Sequence, residues 1–149
     1  MIAVGESAPD FTGTTAQGTA FALSSLKGHP VVLFFYPKAN SLGCTIEARG
    51  FVEHYPEFSK AGVAVVGVSV DSVEAQKKFV DKCDIPYPLI ADRDRAIAQK
   101  YGVVGFLGTA KRVTFLVDAQ GRVAEVVEGV SPGPHVRRAL ERLASGGPS

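Results

Sequence analysis

The residue best suited to covalent chemistry is Cys44, which lies in the segment Tyr36-Pro-Lys-Ala-Asn-Ser-Leu-Gly-Cys-Thr-Ile-Glu47. A continuous apolar run ends at Tyr36, and a helical pattern begins close to the cysteine. Free backbone N–H groups and the positive end of the helix dipole stabilise an anion at such a position, which favours the nucleophilic thiolate. Many free cysteines are simply small buried residues. The strand-to-helix junction, however, indicates a reactive sulfur here.

The residues around Cys44 narrow the possible chemistry. A dithiol–disulfide oxidoreductase needs a second cysteine three residues later, and Glu47 stands there. A cysteine protease needs a histidine base, but His29, His54 and His135 are scattered and nothing in the sequence places one near the cysteine. The histidines also lack metal-ligand spacing, so we expect each to be structural or solvated and expect no metal and no cofactor.

Two strands, each followed by a helix, form the predicted frame of this segment. Residues 31–36 and 63–70 are apolar and β-branched, a pattern typical of strands that are covered on both faces in a parallel sheet. We expect a helix from Thr45 to Tyr55, with Pro56 kinking or ending it. After the second strand, Asp71-Ser-Val-Glu74 is similar to a capping box with Asp71 as N-cap, and it predicts a helix to about Cys83.

The last third of the chain predicts an antiparallel hairpin and a final helix. Residues 113–117 and 123–130 are joined by a turn-rich connection, Asp118-Ala-Gln-Gly121. Pro134 is typical of a helix start. The apolar positions that follow lie on one helical face, namely Val136, Leu140 and Leu143.

Together these elements predict an α/β protein, a three-layer sandwich with a mixed central sheet flanked by helices and a small N-terminal hairpin at residues 11–23. A short helix is expected between Asp94 and Gly102. We expect a single domain over residues 1–149, with 145–149 as a flexible tail. Ligand sites in such sheets favour the carboxyl ends of the central strands, which directs attention to residues 37–47.

Composition excludes several classes of function. The 149 residues carry 16 Lys and Arg against 15 Asp and Glu, so no basic excess is available to bind nucleic acid. The longest apolar run is far shorter than the roughly 18 residues of a membrane span. Two cysteines and the absence of a signal-peptide pattern predict a cytoplasmic protein. Residues 13–18 lack the lysine of a phosphate-binding loop, so nucleotide binding is not expected.

The segment around the cysteine resembles the active-site loop of the peroxiredoxins, in which proline, a hydroxyl residue and cysteine recur at the spacing of Pro37, Ser41 and Cys44. The resemblance extends over nearly the whole chain and is greatest to the peroxiredoxin Q, or bacterioferritin comigratory protein, subfamily. The other matching motifs are Gly5-Glu-Ser-Ala-Pro-Asp-Phe11, Leu26-Lys-Gly28 and Arg112-Val-Thr-Phe-Leu-Val-Asp118.

This resemblance implies a thioredoxin-like fold and a thiol peroxidase that reduces hydrogen peroxide and organic hydroperoxides, with thioredoxin or another dithiol as reductant. By position, Cys44 is the peroxidatic cysteine, whose oxidation gives a sulfenic acid. Arg112 is then the guanidinium beside its sulfur. From spacing alone, Arg112 would instead be a strand residue that faces solvent.

The other positions carried over from the family are in the loop and the first helix. The Ser41 hydroxyl and the N–H groups of Gly43 and Cys44 hold the peroxide oxygen, and Pro37 shields the pocket. Glu47 corresponds to a carboxylate that orients the arginine, or else it is a solvated helical glutamate.

Three positions depart from the family pattern. Leu42 replaces the usual proline, Ser41 replaces the commoner threonine, and Arg49 occupies the position of a resolving cysteine that many subfamily members carry. Cys83 is therefore the candidate resolving cysteine, through an intramolecular disulfide with Cys44 that requires local unfolding. The alternatives are a one-cysteine peroxidase or a peroxide sensor with Cys83 structural. The expected assembly is a monomer or weak homodimer.

Overall fold

A mixed seven-stranded sheet runs through the protein, whose computed structural model describes residues 1–144. The proposed tail at 145–149 lies outside the described residues. Along the sheet the strand order is β2-β1-β5-β4-β3-β6-β7. The strands are β1 Thr12–Thr15, β2 Ala20–Ala22, β3 Val31–Phe35, β4 Ala64–Ser69, β5 Leu89–Ala91, β6 Val113–Val117 and β7 Val123–Glu128.

The centre of the sheet matches the two apolar runs of the sequence. β3 pairs in parallel with β4, β4 pairs in parallel with β5, and β6 lies antiparallel on the other side of β3. All five residues of β3 are buried, as the continuous apolar pattern predicted. β6 and β7 form the predicted hairpin.

Helices cover both faces of the sheet. They are α1 Leu42–Lys60, α2 Val73–Cys83, α3 Ala96–Tyr101 and α4 Pro132–Ala144, with a short 3-10 turn at Leu23–Leu26. Alternate residues of β3 belong to two separate apolar cores: Phe34 packs with α1, α2 and α4, whereas Phe35 packs with α3. The predicted three-layer α/β sandwich is therefore confirmed.

The first helix is longer than its sequence pattern indicated. α1 begins at Leu42 rather than Thr45, because Ser41 takes an extended conformation and caps the helix. The helix also continues through Pro56 to Lys60. A proline removes one backbone hydrogen bond, but Phe51 and Phe58 on either side of it are fully buried and hold the helix to the sheet.

Two other helix starts were predicted wrongly. Ser72, not Asp71, is the N-cap of α2, and its hydroxyl accepts a hydrogen bond from the Ala75 N–H. Asp71 is already bound by groups from the loop before α1, which a local capping pattern cannot reveal. α4 begins at Pro132 rather than Pro134, and both prolines fit the first turn because N–H groups there have no partner within the helix.

The N-terminal hairpin is present, and it also extends the main sheet. β1 pairs antiparallel with β2, as predicted, and Thr14 of β1 is also paired with Ala91 of β5. No sequence pattern predicts this second pairing, because nothing in a short strand's own residues specifies a partner far along the chain.

Gly67 of β4 offers a test of packing in the centre of the sheet. A Cβ at this position would lie 2.7 Å from Leu89 Cδ2 and 2.8 Å from Phe34 Cζ, and both side chains are buried. We therefore expect Gly67→Ala to lower the free energy of unfolding by about 1–3 kcal/mol, measured by urea denaturation. Gly133→Ala is the matched control, since its Cβ would meet nothing within 4 Å. Equal stability of the Gly67→Ala and wild-type proteins would contradict this description of the core.

Candidate active site

The start of α1 positions Cys44. The Ser41 hydroxyl oxygen accepts a hydrogen bond from the Cys44 N–H at 3.4 Å and donates to the Lys38 carbonyl at 2.9 Å. Cys44 therefore lies in the first turn of the helix, where the dipole and the unpaired N–H groups favour an anion. Its side chain is buried, with 1% exposed.

The loop before α1 is fastened to the neighbouring strand and helix. The Asp71 carboxylate accepts hydrogen bonds from the Ala39 N–H at 2.7 Å and from the Ser69 hydroxyl at 2.6 Å. Gln76 of α2 donates to the same Ser69 hydroxyl oxygen at 2.9 Å and accepts a hydrogen bond from the Tyr36 hydroxyl. The sequence pattern does not predict this network, because Asp71 matches the N-cap of a helix in its own segment.

Arg112 lies beside Cys44 because of the sheet register. It immediately precedes β6, whose Val113 pairs with Phe35 at the carboxyl end of β3, so the arginine stands next to the loop that leads into α1. Its Nη2 donates to Cys44 Sγ at 3.3 Å. Nη1 donates to Glu47 Oε1 at 2.5 Å, and Nε donates to the Val130 carbonyl at 2.9 Å. Three acceptors thus fix the plane of the guanidinium.

Gly43 allows this close approach. A Cβ on Gly43 would lie 3.0 Å from Arg112 Nη2. The absence of a side chain therefore lets the guanidinium lie against the first turn of α1.

Glu47 is fully buried, so the solvated alternative for this residue is wrong. It lies three residues after Cys44 and therefore on the same side of α1, where both side chains meet Arg112. Burial raises the pKa of Glu47 to about 7, although the adjacent Arg112 acts in the opposite direction. Burial lowers the pKa of Arg112, but Glu47 and Cys44 outweigh it and hold that pKa above its ordinary value.

His135 of α4 is the residue that sequence analysis missed. It is fully buried, and its Nδ1 lies 3.8 Å from Glu47 Oε2. Nδ1 also lies 2.8 Å from the Thr114 hydroxyl, and Nε2 lies 2.8 Å from the Gly129 carbonyl. The only available signal was its place on the apolar side of the last helix, one residue before Val136.

Pro37 lines a cleft beside the arginine. The cleft has a volume of about 280 Å³, and Arg112, Glu128 and Val130 also line it. Pro37 itself is half-buried. The half-buried proline and the guanidinium therefore share one small opening.

Cys83 lies apart from this cluster. It is the last residue of α2, and Asp84 after it has a left-handed backbone with φ of 50°. Both cysteines are free thiols, and both belong to the apolar core on the same face of the sheet. Cys83 is 7% exposed. A disulfide between the two cysteines would therefore have to join two buried thiols that lie on different helices.

Among residues 1–144, no three His, Cys, Asp or Glu side chains are placed together as metal ligands. Within the same range, no helix combines the length and the apolar character needed to cross a bilayer.

A buried sulfur in the first turn of a helix, contacted by a guanidinium, is an arrangement that favours a reactive thiolate. Comparison with known proteins agrees. The AhpC/TSA family matches residues 4–126, and the chain belongs to that family. It is therefore a peroxidase among the oxidoreductases.

Individual relatives cover almost the whole chain. The chloroplastic peroxiredoxin Q of Sedum lineare is 38% identical over 95% of this chain and 77% of its own length. Peroxiredoxin Bcp of Escherichia coli is 33% identical over 88% of each chain. The crystal structure of peroxidoxin BcpB from Mycobacterium tuberculosis superposes with a TM-score of 0.91, at 36% identity over 97% of this chain and 98% of its own. The thioredoxin-like peroxiredoxin fold implied by the sequence is confirmed.

Proposed function

We propose that Cys44 is the sulfur that attacks the peroxide. Its thiolate attacks one oxygen of the O–O bond, so that an S–O bond forms while the O–O bond breaks. The electron pair of the broken bond goes to the second oxygen, which takes up a proton and leaves as water or an alcohol. The sulfur is oxidised by two electrons to sulfenic acid. The observation that carries the proposal is the 3.3 Å contact between Arg112 Nη2 and Cys44 Sγ.

The surrounding groups stabilise the charge that moves during this attack. The fixed guanidinium of Arg112 stabilises the thiolate and the charge on the departing oxygen. Ser41 holds the peroxide through its hydroxyl, which then turns away from the Lys38 carbonyl. The N–H groups of Gly43 and Cys44 at the helix start are further donors, and Pro37 shields the opening.

Cys83 resolves the sulfenic acid in this proposal. Its thiol attacks the oxidised sulfur of Cys44, so that a disulfide forms and water leaves. The Cα atoms must come within about 4.4–6.8 Å of each other, which requires the first turn of α1 and the end of α2 to open. The strained left-handed residue Asp84 at the end of α2 makes that terminus the readier place to unwind.

We expect Cys83→Ser to change the oxidation product, because it removes the only second thiol of the sequence. One equivalent of hydrogen peroxide should remove two hydrogens from the reduced wild-type monomer and add one oxygen to the variant. Intact mass measurement under non-reducing conditions distinguishes the two products. Oxygen addition to both proteins, or full amide-exchange protection of both helix ends in oxidised wild type, would contradict the disulfide and support the one-cysteine peroxidase or peroxide sensor.

A thioredoxin-like dithiol completes the cycle by reducing the disulfide. The reaction is thiol–disulfide exchange, which transfers two electrons and returns both cysteines to thiols. We also propose a cytoplasmic location, because reducing compartments keep cysteines as thiols and the proposed cycle starts from two thiols. We propose a monomer or weak homodimer that does not bind nucleic acid or membranes.

A further inference from the structure

Among the described residues, only one of the two oxygens of the Glu47 carboxylate has a hydrogen-bond partner. Its Oε1 accepts a hydrogen bond from Arg112, whereas its Oε2 is buried and accepts no hydrogen bond from any residue in the described range 1–144. A buried, unpartnered carboxylate oxygen is costly. His135 Nδ1 lies 3.8 Å from this oxygen.

The tautomer of His135 follows from its partners. The Gly129 carbonyl can only accept a hydrogen bond, so Nε2 carries a proton and donates at 2.8 Å. When the imidazole is neutral, Nδ1 is therefore an acceptor, and the Thr114 hydroxyl donates to it at 2.8 Å. A second proton on the imidazole, at Nδ1, would make the contact with Oε2 attractive, and the Thr114 hydroxyl would then accept a hydrogen bond. A proton on Oε2 would instead remove the negative charge that burial disfavours.

Charge balance requires one such proton. With Cys44 and Glu47 both ionised, two anions face the single cation Arg112 in a buried cluster. One proton, on either Glu47 or His135, makes the cluster neutral, which a low-dielectric interior favours.

The other groups that face Glu47 do not supply this proton. In the proposed reaction Cys44 on the same helix reacts as the thiolate, and Arg112, immediately before β6, keeps its charge. Tyr87, before β5, donates its hydroxyl to the Ala48 carbonyl at 2.9 Å, and burial raises its pKa well above the ordinary value. Burial also lowers the pKa of His135, which disfavours a second proton on the imidazole.

We infer that His135 is a positioning residue of the peroxidase site: its fixed imidazole lies against the unpaired Oε2 of Glu47, governs the protonation of that carboxyl, and thereby holds the group that orients the Arg112 guanidinium against Cys44. This inference rests on the proposed function of Cys44. It assigns the last helix, α4, a part in the chemistry that the cysteine loop alone does not account for.

The test is the pH profile of the second-order rate constant for oxidation of the reduced protein by hydrogen peroxide, from about pH 5 to about pH 9. In wild type we expect an inflection at about pH 7 from Glu47, which Glu47→Gln removes. His135→Gln should shift this inflection downward by about one pH unit, because an amide N–H donates to the carboxylate and the second proton site is lost. The plateau rate should fall by up to about tenfold.

Two further variants separate positioning from a general packing effect. His54→Gln alters a partly exposed histidine on α1 and should leave the inflection in place. Thr114→Val removes the hydroxyl that donates to His135 Nδ1, so that nitrogen binds a proton more readily and the inflection should move upward. Opposite shifts from two substitutions around one imidazole are not expected from loosened packing.

The inference is overturned if folded His135→Gln keeps the wild-type profile, or, should that variant not fold, if Thr114→Val does so. A wild-type profile without the Glu47 inflection would overturn it as well. The proposed function fails separately, if peroxide does not oxidise Cys44 in the wild-type protein at any pH.

Discussion

Cys44→Ser is expected to show no peroxide reduction above the uncatalysed background. A serine hydroxyl at neutral pH is a far weaker nucleophile than a thiolate, and the guanidinium of Arg112, which contacts this position, cannot act as a base. Serine is close to cysteine in size and shape, so the buried position should still pack and the fold should remain. The measurement is hydrogen peroxide consumption in the presence of thioredoxin, thioredoxin reductase and NADPH.

The matched control for this substitution is Cys83→Ser. It removes the other thiol of the sequence but leaves the sulfur beside Arg112, so its first oxidation by peroxide should proceed at the wild-type rate. Peroxide consumption by Cys44→Ser at a rate close to wild type would show that another group performs the chemistry.

Arg112→Ala should lower the rate of peroxide reduction by about 10²–10³-fold, the usual effect of losing one preorganised charge-stabilising donor. The substitution removes the positive charge 3.3 Å from the sulfur and the group that binds Glu47 Oε1. Stopped-flow measurement of oxidation by hydrogen peroxide gives the rate directly.

Loss of Arg112 also leaves Glu47 buried without its ion-pair partner, which destabilises the protein and raises the pKa of this carboxyl further, because burial then acts unopposed. The double variant Glu47→Gln/Arg112→Ala removes the charge of Glu47 and should recover much of this stability while the rate stays low. Arg122→Ala, at an exposed arginine, should change neither quantity. If the double variant recovers both stability and rate, the role of Arg112 is structural and not catalytic.

The sequence was informative where local patterns govern structure. The buried strands β3 and β4 follow from uninterrupted apolar runs, and the first turn of α1 follows from the strand-to-helix junction at Cys44. Local patterns also located the hairpin of β6 and β7. In each case the relevant contacts lie within one element or between neighbours in sequence.

The remainder depends on contacts between distant segments. From spacing alone, Arg112 faces solvent, yet pairing of β6 with β3 buries it beside the sulfur. His135 reaches Glu47 only because α4 packs against α1, and no local pattern contains that information. Asp71 matched a capping box, but its carboxylate instead accepts a hydrogen bond from the Ala39 N–H in the loop before α1.

The family resemblance supplied what spacing could not for Arg112. It did not identify His135, whose part in the site rests on the distances of the folded protein. The proposed site therefore joins a family-derived pair, Cys44 and Arg112, to a buried pair, Glu47 and His135, that only the tertiary structure brings into contact.

The proposal that peroxide oxidises Cys44 is tested most simply by locating the oxygen that peroxide adds to the protein. Reduced Cys83→Ser protein is treated with one equivalent of hydrogen peroxide and a 1,3-diketone that traps sulfenic acids, then digested and mapped by mass spectrometry. We expect the adduct on the peptide that contains Cys44. It should form more slowly in the double variant Cys83→Ser/Arg112→Ala. An unmodified Cys44 peptide after all the peroxide has been consumed would contradict the proposal.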